Sequence, residues 1–562
     1  MIATAKQQSC QLYIFKIHSS RLRKSRWNLT LGLEEARRND EIVSLASSQV
    51  LRWIAEINGV TDADARAKEI RSEIKRIKSD KSSTKNKNII KKLYKELDSL
   101  QFQRDYMCLI IDRPKDYYRA CDGFTINGVR YRRLLGTNGG IKNSTIVFVS
   151  EAVVDELKVR ITNGRNPDVP LVTAKLEAYQ ALACSASIPV SFPNGFAVVN
   201  DCETKFLSDY IYLTDECEGE PMMEMRYDQE VTLDASDGFG LMLPSLSERW
   251  SEELGLDYRM SGCNTRFSFE KGCVFTFDYL DFAEKVADGN YIIKDAWGND
   301  VDLRETELIL TTSMCKLWDS YDSCEDYLRN SIENHYTFAI TKTAPRELES
   351  ERYTNYQFVQ PLPLSDEDID ELIAPTMNEF KEVLGGDWRK TVLFLKGFGL
   401  NDSSIYRIDD DYIKAMMVDQ RIADDPFVRN SIYQMVKNRI DEAKIAVLKV
   451  HGNYSICSGD PYSLCQSMFG MEVTGLLRAG EVYNRYWLDH GAPDRLACFR
   501  APMTCANNIR IVHPARGTEV EYWYRYITTC TIFNSFDLCT AALNGMDLDK
   551  VPYVSNDVMK IR

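Results

Sequence analysis

Two aspartates one residue apart, Asp547 and Asp549, follow a glycine in the run Asn544-Gly545-Met546-Asp547-Leu548-Asp549-Lys550-Val551. In an extended or looped backbone, side chains at i and i+2 point to the same side, so the two carboxylates can share one divalent cation. Hard oxygen donors of this kind suit Mg²⁺, which keeps several of its waters and bridges to substrate phosphates. The same pair also describes an ordinary solvated turn, and the spacing alone does not choose between the two. The turn-like Gly491-Ala492-Pro493 and the tripeptide Arg500-Ala501-Pro502 precede the run.

The chain around this pair divides by pattern. From Ala63 to about Leu100 it reads as two helices, with Ile70, Ile74 and Ile77 on one stripe and Leu93, Leu97 and Leu100 on another. The polar Ser79-Asp80-Lys81-Ser82-Ser83-Thr84 lies between them, so an antiparallel hairpin would bury the stripes against each other. Its many lysines suit either a solvated face or contact with nucleic acid. Asn127-Gly128 between apolar alternations predicts a β-hairpin, and Gly139-Gly140 permits a backbone with positive φ. Beside them Arg132, Arg133 and Lys142 suit either a phosphate grip or an ordinary solvent-facing hairpin. Residues 170–320 carry short β-type runs (Phe196-Ala197-Val198-Val199, Tyr210-Ile211-Tyr212-Leu213, Cys273-Val274-Phe275-Thr276-Phe277) broken by turns. The turn-rich Thr232-Leu233-Asp234-Ala235-Ser236-Asp237-Gly238-Phe239-Gly240 leads toward a helical stretch at Glu248 to Leu254. Residues 321–445 become helical and acidic, and Ser365-Asp366-Glu367-Asp368 reads as an N-capped helix start.

Taken in order, these segments resemble the two-barrel RNA polymerase superfamily, above all the single-chain RNA polymerases of bacteriophages, related to the RNA-dependent RNA polymerases of eukaryotic RNA silencing. The resemblance rests on the block Gly123 to Thr145, on Lys271-Gly272, on the stretch Leu310 to Trp318 that holds Lys316, on Gly452 to Tyr462, on Arg500-Ala501-Pro502 and on the Asp547/Asp549 run. It implies an α+β multidomain chain with two double-psi β-barrels. Residues 1–169 would form an N-terminal α+β region with a helical hairpin insertion at about 63–104. The first barrel would take 170–320, a mainly helical connector 321–445, and the second barrel, with the metal loop, 446–562.

The same resemblance implies template-directed RNA synthesis by nucleotidyl transfer, with a DNA template favoured over RNA, and nucleoside triphosphates as substrates. Asp547 and Asp549 would hold Mg²⁺. Lys271 and Lys316, as compact point charges, would neutralise charge on the triphosphate, and Arg500, with its planar fork, would contact the incoming nucleotide. The family loop reads Asp-x-Asp-Gly-Asp, whereas this chain has Lys550 and Val551 at its last two positions. That departure implies weak or absent synthesis and raises a second reading, an inactive or partial polymerase-like protein that binds nucleic acid. In that reading a separate polypeptide would supply the C-terminal region that family enzymes carry beyond the loop.

Composition bounds these readings. The 562 residues, 44% hydrophobic and 27% charged, are several domains' worth of globular protein. A formal charge of −14 disfavours binding to nucleic acid over the whole surface, but leaves room for a local basic channel. None of the 16 cysteines forms a Cys-x-x-Cys pair and none of the five histidines is four residues from another, so reduced buried thiols fit better than disulfides or zinc. No apolar run approaches the ~18 residues of a membrane span, and the expected location is the cytoplasm, the host's if a phage encodes the chain.

Overall fold

The computed structural model describes residues 12–59, 63–79, 84–217, 220–396, 411–491, 494–543, 545–546, 548 and 553–555. The architecture is mixed α+β, built on three large sheets. The N-terminal sheet has seven strands in the order Asn28–Leu29, Phe124–Ile126, Val129–Leu135, Thr145–Ser150, Phe102–Ile110, Leu12–His18 and Ile42–Leu45. Asn127 and Gly128 both take positive φ, 49° and 83°, and close the hairpin that their sequence predicts. Gly139 and Gly140 do otherwise: they lie in the short helix Asn138–Ile141, whose cap Thr137 accepts from Gly140 N. What Gly140 supplies is room, since a Cβ there would sit 2.7 Å from Thr145 O.

Two helices, Ala63–Ser79 and Thr84–Gln101, precede an interior strand of this sheet, and the second runs directly into that strand, Phe102–Ile110. Ile70, Ile74, Leu93 and Leu97 are buried between them with Ile77 and Leu100 alongside, so both apolar stripes meet in one cluster separate from every other core.

The other two large sheets repeat one plan. In the first, Phe196–Val199 runs parallel to Leu308–Thr311, which pairs antiparallel with Phe239–Met242, itself parallel to Glu270–Thr276. Gly262–Phe267, Ala339–Thr343 and Ile188–Pro189 then join antiparallel. In the second, Ile456–Ser458 runs parallel to Cys530–Phe533, antiparallel to Glu481–Tyr483, itself parallel to Ile509–Pro514. Leu496–Phe499, Tyr553–Ser555 and Lys449–Tyr454 complete it antiparallel, with Glu351–Tyr353 added at the edge. Over the first five strands of each sheet, chain order and direction agree.

The two sheets close on a common core that contains Phe239, Phe275 and Ile309 from one and Tyr483, Ile532 and Leu548 from the other. Helices Tyr279–Lys285 and Thr518–Trp523 occupy equivalent places after the fourth strand of each plan and pack on each other. The Trp523 ring lies 5.7 Å from Phe282 and 6.1 Å from Phe277, and Arg525 reaches Asp278 and Asp281 at 3.2 Å each.

The first sheet carries an addition after its first strand. Tyr210-Ile211-Tyr212-Leu213 reads in sequence as one of that sheet's short strands, but belongs to a separate two-stranded ribbon with arms Glu203–Cys217 and Glu220–Asp234. Its alternating apolar residues mimic a core strand, yet Ile211 and Leu213 are 59% and 67% exposed. In chain order, the helices Asp366–Leu384, Trp388–Lys396, Asp411–Val418 and Pro426–Ala443 lie between the edge strand Glu351–Tyr353 and the remaining strands of the second sheet, the first opened by the expected capping box of Ser365 and Asp368.

Candidate active site

Lys271 is the second residue of the strand Glu270–Thr276, and its backbone N donates to Met314 O at 3.1 Å. Two residues later in that partner segment, Lys316 N donates to Phe269 O at 3.1 Å, and Glu270 and Cys315 form an antiparallel bridge. The structure thus brings the two sequence-predicted lysines onto paired segments, both half-buried. Gly272 is fixed by space: a Cβ there would meet Gly238 O at 2.6 Å and the Met314 side chain at 2.5 Å. The lysine strand therefore lies flat against the turn at 235–240, held by Cys273 N to Gly238 O at 3.0 Å and Gly238 N to Ser313 Oγ at 2.8 Å.

The same turn receives the aspartate loop. Asp547 and Asp549 themselves, with Asn544, Lys550 and Val551, fall outside the described residues. Leu548, between the two aspartates, is described: its backbone N donates to Asp237 O at 2.9 Å and its side chain is buried. Gly459 makes the close approach possible, because a Cβ there would stand 2.8 Å from Leu548 Cδ1 and 2.6 Å from Ala235 O.

Arg500 comes directly after the strand Leu496–Phe499 and points its guanidinium at the base of the loop, with Nη1 donating to Leu543 O at 3.3 Å. Asn508 Nδ2 donates to the neighbouring Ala542 O at 2.8 Å. These two side chains secure the carbonyl end of the helix Cys539–Ala542, from which the chain enters the loop. Arg133, by contrast, is paired with Glu177, whose Oε1 also accepts from Gly136 N at 2.6 Å.

Four carboxylates around this junction have no signature in the local sequence. Glu270 is fully buried, accepts from Thr265 Oγ1 at 2.8 Å, and leaves Oε2 without a hydrogen bond. Burial pushes its carboxyl up to about 7, against the Arg266 charge, the Thr265 hydrogen bond and the Lys316 charge, which pull it down. Asp234, at the foot of the ribbon, is pushed up to about 7 by burial and then by the Asp201 charge. Asp201 ties the end of the first strand to the lysine segment, accepting from Ser313 N at 2.8 Å, Ser313 Oγ at 2.6 Å and Thr312 Oγ1 at 2.5 Å. Its counterpart in the second sheet, Asp460, is buried and accepts from Tyr524 OH at 2.5 Å and Ser463 Oγ at 2.8 Å. Burial raises its pKa too.

The segments that carry the two lysines are paired on one sheet, and the turn beneath them is bonded to Leu548 from the other. Such a junction can bind a polyanionic substrate between cations and hard carboxylate donors. No family model matches the chain. Over 375 residues it is 27% identical to the DNA-directed RNA polymerase YonO of Bacillus phage SPbeta, a match covering 64% of this chain and 41% of that protein. In fold it resembles the RNA dependent RNA polymerase QDE-1 from Thielavia terrestris, with a TM-score of 0.53 and 12% identity over 82% of this chain and 50% of the other. The chain thus spans about half the length of these relatives, or less. With the sequence match, the shared fold and the paired sheets, the chain is related to the two-barrel RNA polymerases.

Proposed function

We propose that this chain carries the catalytic junction of a template-directed RNA polymerase, that its two matched sheets are the double-psi β-barrels of that family, and that DNA is its favoured template. The observation that carries this reading is the hydrogen bond from Leu548 to Asp237, which joins the Asp547/Asp549 loop to the turn supporting the Lys271 strand.

In the reaction, the 3′-hydroxyl oxygen of the growing RNA forms a bond to the α-phosphorus of a nucleoside triphosphate. The bond from that phosphorus to the bridging oxygen breaks, pyrophosphate leaves, and the hydroxyl proton passes to solvent water. Lys271 and Lys316 neutralise charge on the triphosphate, and Arg500 orients the nucleotide through its planar fork. Asp547 and Asp549 would hold Mg²⁺, a fit consistent with their hard oxygen donors, and the ion when bound supplies charge stabilisation and a lowered pKa for the attacking hydroxyl. Among the described residues no helix is long and apolar enough to cross a membrane. We place the work in the cytoplasm.

Lys550 and Val551 support a second reading, in which the chain binds nucleic acid with little or no synthesis. A cation beside the aspartate pair competes with a metal ion, and losing a ligand costs at least the ~10–100-fold typical of losing a ligand's own supporting partner. Extension of a primed template with labelled nucleotides separates the two. Incorporation that depends on Asp549 supports the polymerase; binding without incorporation supports the second reading.

A further inference from the structure

The helical hairpin is an exception to the chain's acidity. Residues 63–101 hold twelve lysines and arginines against six carboxylates, a net +6 in a chain of −14. The imbalance is concentrated in the middle of that stretch of sequence. Residues 71–95 contain ten lysines and arginines against only Glu73 and Asp80. At the base, Arg66 engages both Glu69 at 2.6 Å and Glu96 at 2.9 Å, so carboxylates are consumed there by an ion-pair knot. Farther out, Lys75, Arg76, Lys91 and Lys92 are exposed.

The hairpin is built to project. Ile70, Ile74, Leu93 and Leu97 are buried in the hairpin's own cluster with Ile77 and Leu100 against it, while Ile89 and Tyr94 are exposed. The helix Thr84–Gln101 continues without a break into Phe102–Ile110, a strand bonded to neighbours on both sides, which gives the arm a stiff root. A 17-residue helix is about 25 Å long, enough to run beside several phosphates of one strand at their ~3.4 Å charge spacing. Concentrated positive charge on a chain that is otherwise strongly negative draws a polyanion to one place and repels it elsewhere.

We propose that the exposed cations of the two hairpin helices, Lys75, Arg76, Lys91 and Lys92 among them, form a cationic arm that grips the phosphate backbone of nucleic acid outside the catalytic junction. The proposal rests on the polymerase reading for the identity of the polyanion, and its test uses binding alone. A labelled 20-base-pair DNA duplex is titrated with the full chain, without nucleotides, across a salt series. The arm variant carries Lys75→Glu, Arg76→Glu, Lys91→Glu and Lys92→Glu. A control carries four reversals on exposed lysines of the body, Lys158→Glu, Lys175→Glu, Lys381→Glu and Lys437→Glu, giving the same net charge.

The arm variant should bind at least tenfold more weakly, with a salt slope shallower by about 0.9 for each phosphate it no longer neutralises. The control should keep the native slope, and both variants should keep the native helix content and melting temperature. Equal losses in arm variant and control would reduce the effect to net charge and overturn the proposal. So would an unchanged affinity and slope in the arm variant, which makes the lysines a solvated face. Loss of self-association in the arm variant, without loss of duplex binding, would overturn it too and assign the arm to a second copy of the chain. A duplex grip without RNA synthesis would leave the arm standing and defeat the polymerase reading; synthesis with an unchanged salt slope would do the reverse.

Discussion

The two matched sheets follow one strand plan but are furnished differently. In the first, the segment after Leu308–Thr311 supplies Lys316, and the strand Glu270–Thr276 supplies Lys271. In the second, the segment after Cys530–Phe533 supplies the Asp547/Asp549 loop in chain order, and the strand Ile509–Pro514, which pairs with Leu496–Phe499 as Glu270–Thr276 pairs with Gly262–Phe267, carries Arg510 opposite Cys498. The proposed site draws on both plans, joined by the bond from Leu548 to Asp237, so neither sheet would contain it alone. The plan supplies geometry, and the residues on equivalent loops supply opposite charge.

The joint between the sheets is the place to break that pairing. Trp523 packs among Phe277, Phe282 and Tyr462, and is 6% exposed. Trp523→Ala should cost about 3–5 kcal/mol, read as a lower urea midpoint. A cost below about 1 kcal/mol would mean that the sheets do not depend on each other at this joint.

Chemistry should distinguish equivalent positions. Lys271→Ala should lower nucleotide incorporation by about 10²–10³-fold with little change in nucleic-acid affinity, as expected for a charge used on the reacting phosphates. Arg510→Ala, on the corresponding strand of the second sheet but on the face that carries Val512, should change incorporation by only a few-fold. Equal reductions would show that both sheets touch substrate in the same way.

A smaller difference concerns pH. Glu270 titrates near 7 in the folded chain against an ordinary value near 4.5, so the folded state binds more protons between these limits. Stability should therefore fall as pH rises from about 4.5 to about 7 and level off above. Glu270→Gln should flatten this fall by roughly 1–3 kcal/mol, measured as the change in unfolding free energy between pH 5 and pH 8. Asp234 will leave a residual slope, because it titrates in the same range. A Glu270→Gln chain with the native pH dependence would contradict the buried-carboxyl assignment.

How much of the molecule can be read from sequence depends on range. Local devices are legible: the Asn127-Gly128 turn, the Ser365 capping box and the two apolar stripes of the helical hairpin all declare themselves within a few residues. Lys271, Lys316 and Arg500 emerge through resemblance, and the structure puts the first two on paired segments and the third at the base of the aspartate loop. Asp201 escapes, because its role comes from Ser313, 112 residues away, and nothing near it in sequence marks the partner. Glu270 is hidden for a similar reason: beside a lysine it reads as a surface ion pair, and only the fold shows that its side chain is buried under the opposite face of the strand. The ribbon misleads because apolar alternation records a strand without recording whether anything covers it. The shared plan of the two sheets is invisible too, since several matched strands have only three or four residues and pairing order leaves no mark in composition.

If the aspartate loop and the lysine strand form one RNA-synthesising junction, incorporation of labelled nucleotides on a primed template, with Mg²⁺, should show it in four chains: native, Asp549→Ala, the pair Lys550→Gly with Val551→Asp, and that pair combined with Asp549→Ala. The native chain should incorporate slowly, the restored pair should gain at least about tenfold, and signal should vanish wherever Asp549 is replaced. Incorporation that survives Asp549→Ala, or none in any chain despite normal nucleic-acid binding, would contradict a shared junction.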